Sequence, residues 1–185
     1  MGFQCAMSAK RFGAGTVFVA DVRTQPLEIA ADYGLNPIDA TKENPVEVIL
    51  EMTDNLGADV VFEAVGGEQN HATKGDDPLS QAFEAVRRGG TILQVGHIVD
   101  EIELTPSVAR SKAVRWVNPQ KGYTSVAPGT DTGELAAELV ADGDVPIAEF
   151  VTHELSGLES FEAAVDITLN KETHGALGPA QIVLN

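Results

Sequence analysis

The chain has 185 residues, 43% of them hydrophobic, and one cysteine, Cys5. That length can bury a real core, and fits one domain with an appendage better than two complete domains. The single cysteine excludes an internal disulfide and any multi-cysteine zinc site. Twelve Lys and Arg stand against 28 Asp and Glu, a formal charge of −16, which argues against nucleic acid or an anionic membrane as partner.

The acids are dispersed rather than gathered into a tail, so they read as a uniformly solvated surface that salt should stabilise. No apolar run approaches the ~20 residues of a membrane span, and the N-terminus lacks the apolar core of a signal peptide. The expected location is cytoplasmic. Cys5, among Phe3, Ala6 and Met7, reads as a small core residue.

In chain order, residues 3–12 have a helical pattern that stops at Gly13-Ala14-Gly15. Residues 16–21 read as a buried strand ending on Asp21. Pro26 suits a helix start, with Leu27, Ala30 and Ala31 on one face before Gly34. Pro37-Ile38-Asp39 is a very short strand. Pro45 opens a helix with Val46, Ile49 and Leu50 inward, followed by Gly57. Residues 59–64 form a second buried strand closing on Val65-Gly66-Gly67, and 67–77 is a polar loop. From Pro78, the residues Leu79, Ala82, Phe83 and Val86 mark a helix stopped by Gly89-Gly90. Residues 91–95 are a third strand, ending at Gly96. A short helix over 105–112 and a strand over 113–117 follow, and 118–133 is a connection. Two amphipathic helices, 133–142 and 157–169, alternate with strands at 150–152 and 181–184.

Strand, glycine, helix, strand is the layout of a parallel α/β sheet, because parallel strands need crossover helices and are buried on both faces. Such sheets bind ligands at the carboxyl ends of their strands.

Asp21 is the sharpest candidate there. A carboxylate after the second strand of a dinucleotide fold accepts hydrogen bonds from ribose hydroxyls and repels a 2′-phosphate, favouring NAD over NADP. Arg23 works against that preference, and the bland alternative is an acid capping a turn. Gly66 and Gly96 allow close approach of backbone or ligand, or serve simply as turn residues. His97 follows Gly96 and could face the crevice. His71, His153 and His174 read as surface or structural residues. None has a partner at metal spacing, and no nucleophile motif is present.

The run from Gly2 to Ala14, then Val17 to Asp21, resembles the cofactor domain of zinc-dependent medium-chain alcohol dehydrogenases. Leu27 to Ala30, Gly34-Leu35, Gly57 to Gly66 and Arg88 to Gly96 follow the pattern in order, and the tail at Phe150 to His153 and Phe161 to Ala164 is similar to that family's C-terminal segment. The resemblance implies a Rossmann-like parallel sheet with flanking helices over residues 1–120 and a C-terminal remnant of the catalytic domain over 121–185. It implies hydride transfer between NAD and an alcohol or polyol. By position it assigns the cofactor to Gly2, Asp21, Ala64, Val65, Gly66, Val95, Gly96 and His97, with Asp21 at the adenosine ribose and 95–97 beside the nicotinamide.

The family's zinc ligands lie on an N-terminal domain without counterpart here, and the first strand and first two glycines of the phosphate-binding turn are also missing. Pro26 stands where a basic residue is frequent, as does Ala180 or Gln181. The loop at 67–77 and the segment 118–133 are not typical of the family. Without the first strand, the strands at 16–21 and 59–64 lose a shared neighbour, which invites association into a homo-oligomer. The expectation is a fragment, a mis-started frame or a decayed paralogue that supplies cofactor positioning and is inactive alone. The rival readings are a non-catalytic nucleotide-binding or oligomerisation module, and another Rossmann-like enzyme such as a methyltransferase.

Overall fold

The structure, a computed structural model, describes residues 1–119 and 131–184. It divides into two units, Met1–Glu138 and Leu139–Asn185.

In the first unit, helix α1 (Gly2–Arg11) buries Phe3, Ala6 and Met7, the spacing that puts them on one stripe. Lys10 and Arg11 sit in its last turn, where the carbonyl end favours cations. Strand β1 (Phe18–Asp21) leads into α2 (Thr24–Asp32). Helix α2 begins two residues before Pro26 and leaves Ala31 exposed, so Leu27 and Ala30 alone of the three apolar positions face inward. Strand β2 (Asn36–Asp39) pairs with β1 in parallel, Phe18 opposite Asn36 and Asp21 opposite Asp39. Helix α3 (Pro45–Met52) is capped by the Asn44 side chain, which accepts the Val46 N–H at 2.9 Å. Val46 is buried, whereas Ile49 and Leu50 are half-buried.

Strand β3 (Ala58–Glu63) is followed, after the polar loop, by α4 (Pro78–Ala85), which Asp77 caps through the Ser80 N–H and hydroxyl. The helix stops earlier than the glycines suggest. Val86 already belongs to β4 (Val86–Gln94), because it pairs with Ala58. Val60 then pairs with Thr91, so β4 bulges over 87–90 and Gly89-Gly90 lie within the strand. Helix α5 (Pro106–Lys112) and β5 (Arg115–Val117) complete a parallel three-stranded sheet in the order β3-β4-β5. Leu79, Ala82, Phe83, Val86 and Ile92 form its core, with Val61, Val108 and Val114 packed around them.

The parallel α/β class is as read from the sequence, but the strands are less buried. Val60 and Phe62 are exposed on β3, and β1 is half-buried at best. Among the described residues β1 pairs with β2 alone and β3 with β4 alone, so the two sheets share no ladder. Helix α1 packs against both β1 and β3. Strands with an empty side keep solvent contact that two-sided pairing and cover would remove.

The connection expected over 118–133 falls mostly outside the described residues. Helix α6 (Thr132–Ala141) spans the division between the units. In the second unit, Ile147–Phe150 forms a 3-10 turn that takes in the first residue of the strand expected over 150–152, and Val151 and Thr152 belong to no strand. The strand starts later, as β6 (Glu154–Ser156), and pairs in parallel with β7 (Gln181–Val183). The amphipathic segment between them is a 3-10 turn at Leu158–Ser160 running into α7 (Phe161–Leu169), with a further turn of helix, α8 (Lys171–His174). Thr168 ties this unit together: its hydroxyl donates to Ala164 O at 2.7 Å and accepts the Ala180 N–H at 3.1 Å.

Candidate functional site

Parallel strands end on the same side, and the first unit gathers its candidate residues there. Asp21 closes β1. One carboxylate oxygen, Oδ1, accepts the Arg23 N–H at 2.9 Å and lies 3.8 Å from the Arg23 guanidinium, so the turn does use this acid. The side chain is still 30% exposed, leaving it reachable from solvent.

The ends of β3 and β4 are joined more tightly. Gly67 donates to His97 O at 2.7 Å, and Val99 donates back to Gly67 O at 3.1 Å, forming a parallel bridge between Gly67 and Ile98. Behind it, Val95 and Gly96 donate to Glu63 O at 2.7 and 3.0 Å. Gly66 has φ +62°, and a Cβ there would lie 2.9 Å from His97 N. At Gly96 a Cβ would fall 2.5 Å from Gly66 N. The freedom of both glycines is thus spent on backbone meeting backbone.

The structure therefore brings Val95, Gly96 and His97 against Gly66, with Val65 and the His97 side chain at the surface. Gly2 joins this end of the sheet: a Cβ on it would touch the Ala64 methyl at 3.6 Å. The N-terminus of α1 consequently abuts the loop after β3, and its first turn carries no acidic residue. Asp21 stands on the other sheet.

Two residues of this region carry no signal in the sequence beyond their place in a strand or loop. Glu63 is 3% exposed, and its Oε1 accepts the N–H groups of Val65 and Gly66 at 2.8 and 3.1 Å. Gln69 is 4% exposed, donates to Gly66 O at 3.2 Å, and its own N–H reaches Asp100 Oδ2 at 2.7 Å. An acid at the last position of an apolar strand, three residues before a glycine, is the pattern that could have pointed to Glu63.

The remaining candidates lie elsewhere. Cys5 is half-buried on α1, and burial pushes its thiol pKa up, away from a reactive thiolate. His174 pairs with Asp166 at 2.8 Å, and His153 Nδ1 lies 3.0 Å from the Thr152 hydroxyl. Among the described residues no three His, Cys, Asp or Glu side chains gather into a group that could hold a metal ion. None of the described helices is long and apolar enough to cross a membrane.

Comparison with known proteins agrees with the parallel α/β fold. A family model described as zinc-binding dehydrogenase matches residues 1–122. The probable D-xylulose reductase A of Aspergillus terreus is 31% identical over 169 residues, covering 89% of this chain and 43% of that protein. The sorbitol dehydrogenase of Bacillus subtilis is 35% identical over 97 residues, 52% of this chain and 25% of that protein. Among solved structures, the alcohol dehydrogenase of Thermus sp. ATN1 superposes with a TM-score of 0.72 at 27% identity, over 99% of this chain and 49% of that one. A zinc-dependent alcohol dehydrogenase of Streptococcus pneumonia reaches a TM-score of 0.78 at 17% identity, covering 99% and 48%, a likeness of fold. The chain spans less than half the length of the curated relatives it matches. With the family model covering well over half of its residues, the chain belongs to the zinc-binding dehydrogenase family.

Proposed function

We propose that the chain supplies the nucleotide-binding part of an NAD-linked oxidation of an alcohol or polyol. The observation that carries this reading is the crossing of the loops after β3 and β4 at Gly66 and Gly96, on the carboxyl side of a parallel sheet. Relatives named for D-xylulose reduction and sorbitol oxidation support the polyol class.

In this reading the Asp21 carboxylate accepts hydrogen bonds from the two hydroxyls of the adenosine ribose, and its charge disfavours a 2′-phosphate. The α1 N-terminus at Gly2 offers backbone N–H groups to the pyrophosphate, helped by the absence of acid in its first turn. Ala64, Val65 and Gly66 flank the adenosine, and Val95, Gly96 and His97 border the nicotinamide. The bound nicotinamide supplies the hydride-accepting carbon; the residues of this chain bind and orient it. The described residues do not fit a zinc site, so no step through zinc is assigned to them. Self-association through the edges of β1 and β3 that are unpaired among the described residues belongs to the same proposal.

The test is a fluorescence titration of the full chain with NADH, NADPH and S-adenosylmethionine. NADH should bind most tightly, and Asp21→Ala should weaken it roughly 10-fold or more, as expected for hydrogen bonds to a charged group. Preference for S-adenosylmethionine would point to a different Rossmann-like function. Unchanged NADH affinity in Asp21→Ala would remove the ribose assignment.

A further inference from the structure

Glu63 is the buried acid of the first unit that the reading above does not use. Its Oε1 holds the N–H groups of Val65 and Gly66, and its backbone carbonyl holds those of Val95 and Gly96. Its second carboxylate oxygen, Oε2, is buried and has no hydrogen-bond partner among the described residues. That oxygen lies under Gly96, where a Cβ would approach it to 2.7 Å.

A half-satisfied carboxylate is a costly way to end a strand. An apolar side chain of similar volume would avoid desolvating the charge, and such replacements are frequently neutral or stabilising. What the carboxylate gives instead is a fixed path for the chain just after β3. Val65 and Gly66 turn around its Oε1, which sets Gly66 against His97 and allows Gly67 to donate to His97 O. One residue thereby fixes both loops, through its side chain on one and its main chain on the other.

We infer that Glu63 is the positioning residue of the nucleotide crevice. It does not touch the nucleotide. It holds the backbone of 64–67 against that of 95–98 before the ligand arrives, so binding is spared the cost of ordering them. The inference rests on the nucleotide reading above and adds to it the residue on which the crevice geometry depends.

The experiment compares the full chain with Glu63→Gln and Glu63→Met. NADH affinity is read by fluorescence, thermal midpoint by circular dichroism, and amide hydrogen exchange by NMR. Glu63→Gln keeps an acceptor for the two N–H groups and should bind NADH within about 3-fold of the wild type. Glu63→Met keeps the volume and removes the acceptor; it should bind roughly 10-fold or more weakly. Its thermal midpoint should stay within a few degrees, while the Val65 and Gly66 amides exchange faster and those of Val61 and Ile92 do not. A Met variant with wild-type affinity, or a Gln variant as impaired as Met, overturns the inference. If the wild type takes up no NADH, the nucleotide reading fails, and the exchange rates alone decide the clamp: faster at Val65 and Gly66 supports it, unchanged overturns it. Should Glu63→Met not fold, Glu63→Asp, which draws the carboxylate back by one methylene, is judged by the same readings.

Discussion

The Lys112 ammonium reaches the Val86 carbonyl at 2.9 Å, joining the last residue of α5 to the first residue of β4. It also donates to the carbonyls of Phe83 and Glu84, at 3.0 and 2.5 Å. A helix leaves its final carbonyls without partners in its own turns, and here a lysine from the next helix takes them. Lys112→Met keeps most of the aliphatic stem and removes the donors. The expected loss is about 1–3 kcal/mol of unfolding free energy, measured by urea denaturation; a variant as stable as the wild type would show that the contact contributes nothing.

Gly96 and Gly15 should respond in opposite ways to the same change. A Cβ at Gly96 would fall 2.5 Å from Gly66 N and 2.7 Å from Glu63 Oε2, whereas one at Gly15 meets nothing within 4 Å. Gly96→Ala should cost about 1–3 kcal/mol through overpacking and sharply weaken NADH binding. Gly15→Ala should change neither by a measurable amount. Equal behaviour of the two variants would contradict the tight crossing of the loops.

Asp39 predicts an acid-dependent component of stability. The hydrogen bond from Lys42, at 2.6 Å, and then those from Thr41 hold its carboxyl well down, at about 2. In the unfolded chain an aspartate titrates near its ordinary value of about 3.9. The unfolded state therefore binds the proton first as pH falls, and the stabilisation, complete above about 4, is lost as pH drops toward 2. Thermal midpoints over that interval should fall less steeply for Asp39→Asn than for the wild type. Parallel profiles would refute this.

The charge of −16 predicts a response to salt. Between ~0.1 and ~1 M KCl the screening length contracts from about 10 to about 3 Å, which relieves repulsion among dispersed carboxylates. The thermal midpoint should rise by several degrees across that range. A flat or falling midpoint would mean that the acids are placed without mutual repulsion.

The two sheets of the first unit should open separately. They share no ladder among the described residues, and Ile92 of the three-stranded sheet is fully buried whereas Val19 is half-buried and Ala20 exposed. Native-state hydrogen exchange should show Val19 and Ala20 of β1 opening at lower free energy than Val61 and Ile92. A common opening energy would show that α1 couples the sheets into one cooperative body.

How much of this was legible follows from what kind of information each feature needs. The parallel α/β class and the position of Asp21 rest on local periodicity and glycine punctuation, both carried by adjacent residues. The end of α4 is not legible locally, because Val86 is decided by its partner Ala58, a residue distant in sequence. Phe150-Val151-Thr152 has strand composition, yet the chain is still in a 3-10 turn at Phe150 and β6 begins only at Glu154. The burial of β1 and β3 is lower than their apolar composition implies, because it depends on neighbours and not on the strands' own residues. Glu63 was legible as part of a strand, whereas its grip on two loops exists only once Gly66 and Gly96 have been brought together.

Helix α1 touches β1 on one sheet and β3 on the other. Ten residues at 1.5 Å each make it a rod of about 15 Å. Asp21 and Gly66 stand on those two sheets, so the rod acts as the ruler between the two ends of the proposed groove. Its buried residues Ala6 and Met7 set how deeply the ruler seats. A change in their size would alter the span of the proposed groove without altering any group proposed to touch the dinucleotide, so affinity for the cofactor would shift through such positions while the groove's chemistry stays fixed.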